Sequence, residues 1–66
     1  MSAELCYIEN GDESVTVEMN VHGTLILTVS DPDETATIYF KSSEIEKVET
    51  LISALQEWVK HVKEDT

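Results

Sequence analysis

Apolar residues recur every three or four positions from residue 43 to residue 63, which reads SEIEKVETLISALQEWVKHVK. Ile45, Val48, Ile52, Leu55, Val59 and Val62 fall on one side of a helix at this spacing. Leu51 and Trp58 widen the stripe to about 100° or more. Before this segment the period changes from 3.6 to 2. Val15, Val17 and Met19 alternate with Thr16, Glu18 and Asn20, and Leu25, Leu27 and Val29 alternate with polar neighbours and Ile26. Alternation of this kind predicts strands with one apolar side. Residues 3–9, AELCYIE, are apolar at both parities and also read as a strand.

The turns fix how these strands pair. Asn10-Gly11-Asp12-Glu13 is a hairpin signal, because Asn and Gly tolerate positive φ. Inward residues on the second and third strands are all odd-numbered, so opposed residues must sum to an even number. A three-residue loop, Val21-His22-Gly23, meets that condition and pairs Met19 with Leu25, Val17 with Leu27 and Val15 with Val29. Its third position sits in the left-handed region, so Gly23 is expected at positive φ. Asp31-Pro32-Asp33-Glu34 is the next turn, with Pro32 presetting φ. Centring it on Pro32-Asp33 pairs Leu25 with Phe40, Leu27 with Ile38 and Val29 with Ala36 on one face. Ile26 with Tyr39 and Thr28 with Thr37 fall on the other.

The chain therefore predicts one α+β domain over residues 1–66. It is a four-stranded antiparallel meander (strands about 3–9, 15–20, 24–30 and 35–41) with one C-terminal helix, about 44–63, packed across one face. Ser43 and Glu46 are the expected capping box, and Glu64-Asp65-Thr66 the frayed end. Strand one must place either Leu5 and Tyr7 or Cys6 and Ile8 on the open face, beside Ile26 and Tyr39. That makes an apolar centre of the kind found at interfaces.

Length alters the picture next. A chain of 66 residues buries only about 60% of its unfolded surface, so small domains gain stability from disulfides, metals or association. Cys6 is the only cysteine, which excludes an internal disulfide and suits a reducing cytoplasm. A homodimer is the expected remaining source. No apolar run reaches the roughly 20 residues that a membrane helix needs, and no secretory leader is recognisable. Cytoplasmic localisation is expected.

Charge sharpens the reading. The net charge is −10, with 14 acids against four lysines and no arginine. Residues 1–40 hold Glu4, Glu9, Asp12, Glu13, Glu18, Asp31, Asp33 and Glu34 and no lysine. Such a surface repels phosphate and anionic lipid and permits a basic protein partner. It also serves plain solubility.

Candidate chemistry is sparse. Cys6 with His22 or His61 lacks the third group that orients a nucleophile and base, so Cys6 reads as a core filler. Glu57 and His61 have a ligand-like spacing, but zinc needs three or four ligands. The acids from Asp31 lack the glycine and glutamate of a calcium loop, which would fall at Ala36 and Ser42. No catalytic residue, metal or cofactor is expected. Trp58 either packs over the sheet end or anchors a partner, since Trp is enriched at interface hot spots. The candidate partner-binding residues are Asp12, Glu13, Glu18, Asp31, Asp33, Glu34, Ile26, Tyr39 and Trp58.

TLILTVSDPDETATIYF followed by SSEIEKVETLISALQEWV is similar in layout to some anti-CRISPR DNA mimics and to other small acidic accessory proteins of bacteriophages and mobile elements. The resemblance rests on element order and composition and transfers no residue. It implies a non-enzymatic protein-binding module, such as an inhibitor of a basic nucleic-acid-binding host protein. The alternative is a small structural or assembly protein acting through homo-oligomerisation.

Overall fold

A computed structural model describes residues 2–65. Four strands, β1 (Ser2–Asn10), β2 (Glu13–Asn20), β3 (Leu25–Ser30) and β4 (Thr35–Phe40), are followed by a short 3-10 turn (Ser42–Glu44) and helix α1 (Ile45–Glu64). The strands form one antiparallel sheet in sequence order, β1-β2-β3-β4. This is the expected ββββα meander.

Register follows the parity argument. Val17 opposes Leu27 and Met19 opposes Leu25. Leu27 opposes Ile38 and Leu25 opposes Phe40. Gly23 has φ +78° and its N–H donates to the Asn20 carbonyl at 3.0 Å, closing the three-residue loop. The Asn20 side chain adds what periodicity does not show: its Oδ1 accepts from the N–H groups of His22 at 2.9 Å and Thr24 at 3.0 Å. Gly11, at φ +64°, occupies the first of the two loop positions between Asn10 and Glu13, where a type II′ hairpin needs positive φ.

Strand β1 resolves the open choice of face. Cys6 opposes Val17 and Ile8 opposes Val15, so both join the apolar side; Tyr7 opposes Thr16 on the other. The pairing shifts by one residue between Glu4 and Cys6. Leu5 is thus the extra residue of a β-bulge, which lets Ala3 share the apolar side with Cys6 despite its opposite parity. The second face is mainly polar. Hydroxyl pairs bridge Thr28 and Thr37 at 3.4 Å and Ser30 and Thr35 at 3.1 Å.

The helix departs from expectation. It does not lie across the sheet, and no described side chain is buried. Leu55 is 58% and Trp58 66% exposed, so Trp58 does not pack over the sheet end. Cys6 is likewise exposed and fills no core. Only the first turn of α1 approaches the strands, where Ile45 and Val48 border an open hollow with Gly23, Leu25 and Phe40. The Cα radius of gyration is 13.8 Å, against about 11 Å for a compact chain of this length.

The physical reason lies at the corner between β4 and α1. Lys41 leaves the sheet in an extended conformation (φ −75°, ψ 160°), and the 3-10 turn begins at the next residue. Lys41 and this three-residue turn alone set the direction in which α1 leaves. Glu44 fastens this corner. Its carboxylate accepts the Lys41 N–H at 3.0 Å, its own N–H donates to the Lys41 carbonyl at 2.8 Å, and Lys47 Nζ lies 3.3 Å from its second oxygen. The expected cap, Ser43, instead lies inside the 3-10 turn. At the far end α1 runs through Glu64, and the Asp65 N–H donates to the carbonyls of His61 and Val62, both at 3.3 Å. Residues 64 and 65 are therefore tied in rather than frayed; Thr66 lies outside the described residues.

The Lys41 N–H, and then Lys47, hold the Glu44 carboxyl below the ordinary glutamate range. A carboxyl depressed in the fold stabilises above its unfolded pKa, and that contribution is lost as pH falls through the folded value. The Lys41 amide resonance is therefore expected to titrate with a midpoint below that of a free glutamate. A midpoint at or above the free value would remove Glu44 from the corner.

Candidate functional site

The meander gathers the turn acids at one end of the sheet. Because Ser14 opposes Ser30, the β1–β2 turn with Asp12 and Glu13 sits beside the β3–β4 turn with Asp31, Asp33 and Glu34. Glu13, Asp31 and Glu34 line one shallow hollow with Val29, Thr35 and Ala36. Val29 and Ala36 belong to the apolar side, so this hollow is its acidic margin. The helix leaves from the opposite end, and all four lysines lie from Lys41 onward.

Asp31 has structural work in this turn. Its Oδ1 accepts from the N–H groups of Asp33 at 2.8 Å and Glu34 at 2.7 Å, and its own N–H donates to the Glu34 carbonyl at 2.9 Å. This side-chain turn closure is a common use of Asp at such positions. Asp12 and Asp33 occupy the exposed tips.

The remaining sequence candidates lie elsewhere. Glu4, Glu18, Ile26 and Tyr39 form one row across all four strands on the polar face. Glu18 accepts from the Ser2 hydroxyl at 3.1 Å and is half-buried. Tyr39 is 63% exposed. The row therefore joins three of the candidates, but it is separate from the acidic end. Trp58 stands alone, well along α1. On the same polar face, the Tyr7 hydroxyl donates to Glu9 at 3.1 Å. That bond to a carboxylate, together with partial desolvation and the negative charge of Glu9, pushes the phenol above its usual value.

The larger feature is one that the candidate list did not include. Val15, Val17, Met19, Leu25, Leu27, Val29, Ile38 and Phe40 share one side of the sheet with Cys6 and Ile8. None of them is buried. The helix stripe is equally uncovered: Ile45, Ile52, Leu55 and Val62 are all exposed. These residues were legible as core positions, and their exposure makes them the surface with the most to gain from a contact.

The histidines and acids do not converge on chemistry. His61 Nε2 lies 3.3 Å from Asp65, four residues on, rather than pairing with Glu57. Among the described residues no three His, Cys, Asp or Glu side chains group as metal ligands, and no helix is long and apolar enough to cross a membrane. No family model matches the chain, and no curated protein or solved structure matches it either.

The two roles proposed for the turn acids separate on mutation. Asp31→Ala leaves two N–H groups without their acceptor and is expected to destabilise by roughly 1 kcal/mol. Asp33→Asn, at an exposed tip, is expected to change stability by less than about 0.5 kcal/mol. Urea unfolding at one fixed chain concentration measures both, and equal effects would contradict the turn-closing role of Asp31.

Proposed function

We propose that this chain is a non-enzymatic protein-binding module that works through homo-oligomerisation, as a small assembly protein whose folded unit is a homodimer. The observation that carries the reading is the absence of any buried side chain among the described residues. Hydrophobic burial is the dominant favourable term in folding, and a chain this size has little stability to spare. The chain exposes 5574 Å² for a mass of 7.4 kDa. A compact monomer of that mass exposes about 4,200 Å², or about 1,400 Å² less. Two chains each covering that excess would bury about 2,800 Å², within the range of obligate dimers.

Folding linked to association depends on concentration. The thermal midpoint is expected to rise by several degrees between micromolar and 100-fold higher chain concentration, with light scattering giving twice the chain mass. A chain that scatters as a monomer and melts at one temperature throughout would defeat this reading.

A second reading rests on a different observation, the convergence of two acidic turns at the sheet end opposite the start of the helix. In it the dimer presents Asp12 and Asp33 to a basic, nucleic-acid-binding protein, in the manner of a phage-type inhibitor. Electrostatic steering makes such binding fall with salt. The chain's direct affinity for a basic DNA-binding protein, measured without DNA, is expected to fall about tenfold between 50 mM and 300 mM salt. Asp12→Asn with Asp33→Asn should weaken that binding mainly at low salt. Binding that ignores both salt and the substitutions would rule out the acidic tips as the contact.

A further inference from the structure

Two apolar surfaces on this chain lie uncovered and approach each other only at the first turn of α1. The sheet presents a continuous apolar face, and α1 presents an apolar stripe about 30 Å long for its 20 residues. A stripe of 100° or more is broader than the narrow seam by which two helices pair in a coiled coil and suits cover of a sheet. The corner at Lys41–Glu44 holds the stripe away from the chain's own sheet. From these observations we infer that α1 of each chain packs on the apolar sheet face of a second copy, so that the dimer forms by reciprocal exchange of helices. This rests on the homodimer reading above and specifies its interface.

Stripe width sets aside helix pairing, and charge favours helix on sheet over sheet on sheet. Residues 1–40 carry eight acids and no lysine, whereas residues 41–66 hold six acids and four lysines. Stacking two sheet faces would bring two strongly negative halves together, and like charges oppose association. Helix on sheet sets the nearly balanced half against the negative one. The direction of entry fits as well. Each helix starts at the end of its own sheet opposite the acidic turns. Under a two-fold axis near the two corners it enters the partner's face from that same end and runs toward the acidic margin. Its last turn, with His61 and Lys63, then approaches the hollow of Glu13, Asp31 and Glu34. A two-fold exchange of this kind closes on itself and leaves neither apolar surface uncovered.

The test uses the full chain with a photo-reactive benzoylphenylalanine in place of Leu55. A second preparation carries it at Val59, in case the first variant fails to fold. Each is mixed with unmodified ¹⁵N-labelled chain, unfolded and refolded together, and irradiated; mass spectrometry then identifies the joined peptides. Exchange predicts products of twice the chain mass, joining the probe to ¹⁵N peptides from residues 15–40. Dimers in which the probe joins only ¹⁵N helix peptides would overturn the exchange and leave the homodimer standing. A monomeric protein whose probe labels its own sheet would overturn both.

Discussion

The ladder of hydrogen bonds between neighbouring strands, and the turns that set its register, are what the rest of this structure depends on. With no side chain among the described residues fully buried, packing does little to choose among registers. Turn chemistry does so instead: Gly11 and Gly23 at positive φ, the Asn20 carboxamide holding two loop N–H groups, and the Asp31 carboxylate holding two more. A register error of one residue would turn every apolar side chain to the opposite face. The turns therefore align the apolar side chains into one continuous face.

How much of this could be read from the residues follows from what each signal encodes. Alternation in β2, β3 and β4 is strict, and a parity condition with two good turn sequences left one consistent register. Strand β1 was ambiguous because both its parities are apolar. The bulge at Leu5 is the structural form of that ambiguity, since it lets Ala3 and Cys6 point the same way. The helix stripe was also plain, but amphipathicity states that a face will be covered without stating by which molecule. The corner was misplaced because two capping patterns overlap. Ser43 and Glu46 fit the sequence rule, yet Glu44 reaches back to the Lys41 N–H two residues earlier and starts the helical turn from there.

The candidate site was legible in charge and obscure in shape. Acids crowded into two turns are visible in the sequence, and a meander must place alternate turns at one end, so their convergence follows from topology. Glu18 does not join them because it belongs mid-strand to the opposite face. The division of labour among the turn acids was not legible: Asp31 and Asp33 look alike in sequence, and only the bond directions show that one closes the turn while the other stands at its tip. The uncovered apolar surfaces were missed for a simpler reason. Core-type residues are ordinarily assumed to be satisfied within their own chain.

The bulge in β1 has a consequence for how far association can go. β1 and β4 are both edge strands, and a straight edge offers a row of unpaired backbone groups to any strand that passes, which is the route to open-ended fibres. Leu5 breaks the regular spacing of donors and acceptors along β1, and a bulge also deepens the local twist. A neighbouring molecule cannot extend the sheet there without a matching irregularity. A chain that leaves its whole apolar face available can in this way gain finite partners through that face while its margin resists indefinite polymerisation.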